Sequence, residues 1–239
     1  MIIKRRIGTV LLSIGILIGI SSCQGGISGE GESITEVRNV DVFNAIELNT
    51  SAEVLLTQGP SQQVRVEGQR NILDVLTTQV RRGRLQIDTD KSLGKHNPIR
   101  IYITVPNVEA LTINGSGAIN GQNMLSVEDL RLEVSGSGEM DVHARASNIQ
   151  SIIEGSGDIK LRGSSNGLIV NVGGSGNVQA FDLATERAEV VINGSGDCEV
   201  NARSTLKAVV NGSGDVRYRG EPADRQFSMQ GSGNIVRAD

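Results

Sequence analysis

The chain has 239 residues, with 23 Lys and Arg against 27 Asp and Glu and a formal net charge of −4. That balance argues against nucleic acid or an anionic membrane surface as a partner. Trp is absent and only three Phe and two Tyr occur, too few for an ordinary globular core of this size but enough for a narrow column of stacked Val, Ile and Leu.

Residues 1–22 read as a leader. Lys4, Arg5 and Arg6 form a basic start, and Ile7–Ile20 is almost wholly apolar yet short for a membrane span. Ile20-Ser21-Ser22-Cys23 resembles the bacterial lipobox. The resemblance implies cleavage between Ser22 and Cys23 and acylation of Cys23, which would anchor the chain to a membrane without spanning it. The alternative is an ordinary secretory peptide with an incidental Cys, disfavoured because free cysteines are scarce in exported chains. No later stretch is long enough to span. Apart from Cys23 only Cys198 occurs, so no intrachain disulfide is expected, and Cys198 sits at an inward apolar position as a small hydrophobe.

Residues 23–33 are Gly/Ser-rich and read as a flexible tether. In lipoproteins of the Bacteroidetes type, an acidic run after the acylated Cys tends to direct export to the outer face. None is attached directly to Cys23, so the expected place is the cell envelope, on the outer membrane, with the periplasmic side favoured over the cell surface.

Residues 34–110 are expected to form a less regular N-terminal β region that caps the more regular C-terminal half. Strands are predicted over Val42–Leu48, Val54–Gln58, Val64–Glu67, Arg84–Asp88 and Ile99–Val105, with a turn at Gly59-Pro60-Ser61 and a polar loop at Asp90–Pro98. Asn71 is placed to cap a short helix over Ile72–Val80. Thr50-Ser51-Ala52 reads as a degenerate copy of the Gly-Ser-Gly repeat that fills the C-terminal half.

Residues 111–239 carry that repeat. Gly-Ser-Gly occurs seven times: Gly115-Ser116-Gly117, Gly136-Ser137-Gly138, Gly155-Ser156-Gly157, Gly174-Ser175-Gly176, Gly194-Ser195-Gly196, Gly212-Ser213-Gly214 and Gly231-Ser232-Gly233. Their starts are 21, 19, 19, 20, 18 and 19 residues apart, the mark of a repeat architecture. Each triplet has an apolar residue two positions before it and another two positions after it, such as Ile153 and Ile159. This alternation is strand language. It predicts two short strands meeting at a corner, with both glycines facing the apolar side and Ser facing out. The fold expected is all-β: a right-handed parallel β-helix, or solenoid, of about 19–20 residues per rung. The repeat is too short for a helix in each unit or for a propeller blade. The seven Ser are expected to stack in a row at the rung spacing of about 4.8 Å.

The ordered set of lipobox, Val42-Phe43-Asn44-Ala45-Ile46, Val54-Leu55-Leu56-Thr57-Gln58-Gly59, Ile101-Tyr102-Ile103-Thr104-Val105-Pro106 and the Gly-Ser-Gly-Asp-Ile repeats resembles the bacterial head GIN domain family, also called auto-transporter adhesins. The resemblance covers roughly residues 40–239. It implies a β-helix-like domain in an envelope lipoprotein of the Bacteroidetes type, and it brings no catalytic residue with it. Asn49-Thr50-Ser51-Ala52 departs from the family's Gly-Ser-Gly, so the first corner is expected to be shaped differently.

No catalytic set assembles from the residues. Asp158, Asp197 and Asp215 come directly after three of the triplets, yet one Asp per rung supplies few oxygen ligands for calcium, and local turn hydrogen bonds account for them better. No metal or cofactor is therefore expected. A glycine-rich phosphate loop needs a helix on its C-terminal side, which the pattern lacks. His96 falls in a polar loop and His143 at an outward strand position, and neither gathers a nucleophile and an orienting group. Asn114, Asn193 and Asn211 match a glycosylation pattern that is incidental in a bacterial chain. The reading is a non-enzymatic, lipid-anchored module binding an envelope protein or a glycan. The alternative is a β-helix carbohydrate-active enzyme, which fold analogy alone supports.

Overall fold

The computed structural model describes residues 25–238, so the leader, Ser22 and Cys23 lie outside the described residues. The described residues form a parallel β-solenoid, with one four-residue helix among them. Its first elements are β1 (Ser33–Arg38), β2 (Ala45–Leu48), β3 (Glu53–Gln58), β4 (Gln63–Gln69), α1 (Arg70–Leu73), β5 (Leu76–Arg81), β6 (Arg84–Thr89), β7 (Arg100–Val105), β8 (Ala110–Gly115) and β9 (Ala118–Gly121). The later elements are β10 (Leu125–Ser126), β11 (Asp129–Gly136), β12 (Glu139–Gly155), β13 (Asp158–Gly174), β14 (Asn177–Gly194), β15 (Cys198–Gly212), β16 (Val216–Arg219), β17 (Asp224–Gly231) and β18 (Ile235–Arg237).

Each rung places like on like. Met140 pairs with Ile159, Ile153 with Val172 and Gly155 with Gly174. One inward column runs Ile87, Leu48, Ile113, Val134, Ile153, Val172, Ile192, Val210, each at most 1% exposed. β-Branched side chains suit this, since they pack well on a pleated, half-buried surface. The uneven repeat lengths sit in the connections. The two extra residues of the 21-residue step fall between Asn120 and Leu125, because β9 meets β12 at an offset of 21 and β10 meets it at 19. The 20-residue step carries a bulge between Lys160 and Gly163 against β14, and β15 omits the matching residues.

The N-terminal region departs from chain order. The rung β2–β3 lies between the rung β6–β7 on one side and β8–β9 on the other. The chain therefore starts one rung in, goes out to build the end, then crosses back. β4 pairs antiparallel with β7, and β1 antiparallel with β4. The helix expected over Ile72–Val80 is shortened to α1, and Leu76–Arg81 instead forms a hairpin with β6. Its two loop residues, Arg82 and Gly83, have φ of 51° and 74°, the paired left-handed geometry that matches strand twist. The segment expected as a flexible tether is laid down in part: Ile27 pairs with Leu93, and Asn71 bonds the backbone of Ser28 and Glu30.

Candidate functional site

The seven triplets form one corner of the solenoid. The second glycine points inward and is buried in six of them, as expected. The first glycine does not share that orientation. It turns the corner with φ from 122° to 151° and is not buried. Stacking explains why both are glycine. A Cβ at Gly174 would come 2.3 Å from the carbonyl oxygen of Gly155, and one at Gly176 would come 2.1 Å from that of Gly157. Thr50-Ser51-Ala52 turns its corner without a left-handed residue, and the rung beside it on the capped side closes through the long Asp90–Pro98 loop rather than a matching triplet. The Ser side chains are exposed in every triplet. From Ser137 onward each Ser N–H donates to the first-glycine oxygen of the preceding rung at 2.8–2.9 Å, so the seven stand in one row.

The residue after the triplet does a separate job. At Ala118, Glu139 and Asp158 the backbone N–H donates to the carbonyl one position before its register partner in the neighbouring rung, as in Asp158 to Gly138 at 3.1 Å. From Asn177 onward that donor turns to a side chain. Asn177 N–H and Nδ2 donate to Asp158 Oδ1 at 3.0 and 2.9 Å, Asp197 N–H to Asn177 Oδ1 at 3.0 Å, Asp215 N–H to Asp197 Oδ1 at 2.8 Å, and Asn234 N–H to Asp215 Oδ1 at 2.8 Å. Asp158, Asp197 and Asp215 therefore act as acceptors for corner amides that the backbone leaves free. Among the described residues no three His, Cys, Asp or Glu side chains come together as a metal site.

Another part of the solenoid surface holds a groove of about 1220 Å³. It crosses successive rungs, from Asn107 and Glu109 through β11, β12 and β13 to Glu186 and Arg203. Leu130 and Ile149 form its apolar base, and beneath it the buried hydroxyls of Ser165 and Thr185 bond each other at 3.0 Å. The walls are polar and held in place. Asn148 donates to Asp129 at 2.8 Å, Arg131 to Gln150 at 2.6 Å and to Glu133 at 2.9 Å, and Arg203 faces Glu186 at 3.5 Å. Arg145 is exposed in the groove and makes no ion pair among the described residues. No aromatic ring lines the groove. Amide, guanidinium and carboxylate groups at fixed spacing can bond hydroxyls or peptide groups of an extended partner.

Outside the groove, the expected candidates are dispersed. His96 lies in the β6–β7 loop against the Asn97 carbonyl. His143 pairs in register with Arg162 on another corner, where a hollow of about 570 Å³ also touches Asp182 and Gln122. Asn114, Asn193 and Asn211 form side-chain ladders beside the triplets, Asn114 to Asn49 at 2.8 Å and Asn211 to Asn193 at 2.9 Å. Cys198 is fully buried, and burial pushes its thiol pKa up, which makes it inert. Near the capped end, Tyr102 donates to Glu67 at 2.8 Å, which raises its pKa, and Arg65 lies over its ring. No helix among the described residues is long and apolar enough to cross a membrane.

The groove was not legible in the sequence, because its walls come from positions that differ between rungs. Among known proteins, residues 42–222 match the family model described as "Putative auto-transporter adhesin, head GIN domain". A "putative adhesin" from Bacteroides fragilis is 27% identical, with a TM-score of 0.86, covering 89% of this chain and 100% of that one. A "putative lipid binding protein" from Parabacteroides distasonis (24% identity, TM-score 0.76, covering 89% and 99%) and a "putative adhesin" from Parabacteroides merdae (20%, 0.74, 89% and 99%) share the fold. None of the curated proteins matches the chain.

Proposed function

The chain belongs to the head GIN domain family, and from that premise we propose that it is a non-enzymatic adhesion module of the cell envelope. It is anchored by a lipid on Cys23, on the outer membrane, and binds an envelope protein or a glycan along the side of the solenoid. The observation that carries this reading is the groove: about 1220 Å³ of polar, pre-positioned surface crossing several rungs of a rigid scaffold. Its walls hold hydrogen-bonding side chains rather than a nucleophile with its base, which fits binding rather than turnover. The family and two of the three similar structures carry adhesin names, and none of the three carries an enzyme name, which supports the same reading.

A retention assay tests it. Full-length chain on vesicles is exposed to the glycan and protein fractions of an envelope extract. The expected result is retention of one defined fraction, lost in Arg145→Glu with an unchanged circular dichroism spectrum. Glu128 also lines the groove, and retention that Arg145→Glu, Asn148→Ala and Glu128→Ala all leave intact would remove the groove from the mechanism. Metabolic labelling with a palmitate analogue checks the anchor: wild type incorporates the label and Cys23→Ala does not.

A further inference from the structure

The groove crosses six successive rungs, from Glu109 just before β8 through β11, β12, β13 and β14 to Arg203 on β15. Their five steps, at about 4.8 Å each, make it about 24 Å long. It runs across the strands, so an occupant lies along the solenoid axis and meets side chains rather than a backbone edge.

The charges in the groove fall into two kinds. Most are already partnered: Arg131 with Glu133 and Gln150, Asp129 with Asn148, and Arg203 with Glu186. The rest are not. Glu109 is exposed and accepts only from Asn107 Nδ2, at 3.4 Å. Glu128 and Arg145 are exposed, and among the described residues neither side chain makes a hydrogen bond or an ion pair. Glu109, Glu128 and Arg145 sit on successive rungs, so the groove reads acid, acid, base from its β8 end. The next rung offers uncharged Ser164 and Asn166.

Resting on the adhesion reading, we infer that the groove takes an extended polypeptide segment carrying both signs of charge. A basic side chain lies against Glu109 and Glu128, and an acidic one against Arg145. Charge complementarity selects this occupant, because a partner of one sign meets like charge at either the acids or the base. A polypeptide carries both signs on one chain. A neutral glycan carries neither, and an acidic glycan brings further carboxylates to Glu109 and Glu128. Length agrees: at about 3.3–3.4 Å per residue, an extended chain places about seven residues in the groove. The two rung steps from Glu109 to Arg145 match about three of them. The apolar surface agrees as well. The C–H faces of sugar rings pack best on the negative faces of aromatic rings, and none lines the groove. Ile169, 45% exposed, instead offers an aliphatic contact.

The test presents full-length chain in phosphatidylcholine vesicles to surfaces coated with peptides of about seven residues. Dense coating lets many weak contacts add. On an uncharged frame of Ser, Thr and Val, the peptides carry Lys and Asp about three residues apart, Lys at both places, Asp at both, or neither. Neutral and uronic oligosaccharides coat further surfaces. The Lys–Asp peptide is expected to retain at least about tenfold more vesicle than any other surface. Arg145→Glu should move the preference to the peptide with Lys at both places, and Glu128→Lys to the one with Asp at both, each with its circular dichroism spectrum intact. A purely structural role for these residues would lower retention on every surface alike. Equal retention on all peptides, greatest retention on an oligosaccharide, or natively folded variants that keep the wild-type preference would overturn the inference. A chain that ignores the peptides yet still retains an envelope fraction lost in Arg145→Glu overturns it and leaves the groove as the adhesion site.

Discussion

One pole of the solenoid, the rung β6–β7, is covered by β1, β4, α1 and β5, and the other, ending in β17 and β18, is open among the described residues; both are built from the same kind of rung, and they show what a rung lacks by itself. A parallel coil has no intrinsic stop: its last strand always leaves one edge unpaired and one layer of core exposed. At the covered pole the chain meets this with antiparallel strands, a short helix and a crossing-back of chain order. Val64, Val66, Ile72, Leu73 and Leu76 are thereby buried at 2% exposure or less. At the open pole the corresponding columns end in Phe227 and Met229, half in solvent. The first end is closed by added elements, whereas the second shows no such cover among the described residues.

The largest test of that contrast removes apolar bulk at each pole. Leu73→Ala, fully buried under the cap, should cost about 2–5 kcal/mol, while Phe227→Ala should cost less than about 1.5 kcal/mol because much of the ring is already hydrated. Urea unfolding followed by circular dichroism reads both, and equal losses would break the comparison. Next comes the corner. Gly174→Ala meets a carbonyl oxygen at 2.3 Å with φ at 131°, a strain of about 1–3 kcal/mol before any backbone shift. Gly231→Ala, in the last rung, should cost clearly less, because that rung can lift away from its single neighbour. Amide hydrogen exchange would show the loss spread over adjacent rungs in the first case and confined to β17 and β18 in the second.

A smaller effect is expected in the corner ladder. Asp158→Ala strips acceptors from Asn177 N–H and Nδ2 and should cost about 1–2 kcal/mol, whereas Asp215→Ala, serving the final rung, should cost less. The smallest effect is pH-dependent. Burial raises the Cys198 pKa in the folded chain, so its contribution is complete below the ordinary thiol value of 9.0 and declines as pH rises above it, when the unfolded chain loses the proton first. The slope is at most about 1.4 kcal/mol per pH unit. Cys198→Ala should flatten that part of the stability profile, and a thiol reagent should reach the wild-type thiol only after unfolding.

Some of this architecture is legible at the level of single residues. The alternation around each triplet, as in Ile153 and Ile159, announces strands and their inward faces, because a two-residue period has one physical meaning. The direction of the first glycine is not legible: parity assigns it inward, but a positive φ breaks the parity at the corner, and only stacking on the glycine below decides that geometry. The run from Ile72 to Val80 has apolar spacing that fits a helix. It becomes β5 because Arg82 and Gly83 close a hairpin and because β6 needs an antiparallel partner at the end of the stack.

The amino-acid sequence by itself determined the all-β class, the rung length, the inward columns and the outward row of Ser, since each comes from local period and residue type. Only the tertiary structure decided the order of the first rungs, the docking of residues 27–30, the switch from backbone to side-chain acceptors after Asp158, the groove and the unequal poles. Each of these depends on which rung lies beside which, and a contact between residues far apart in the chain leaves no trace in the local pattern of either.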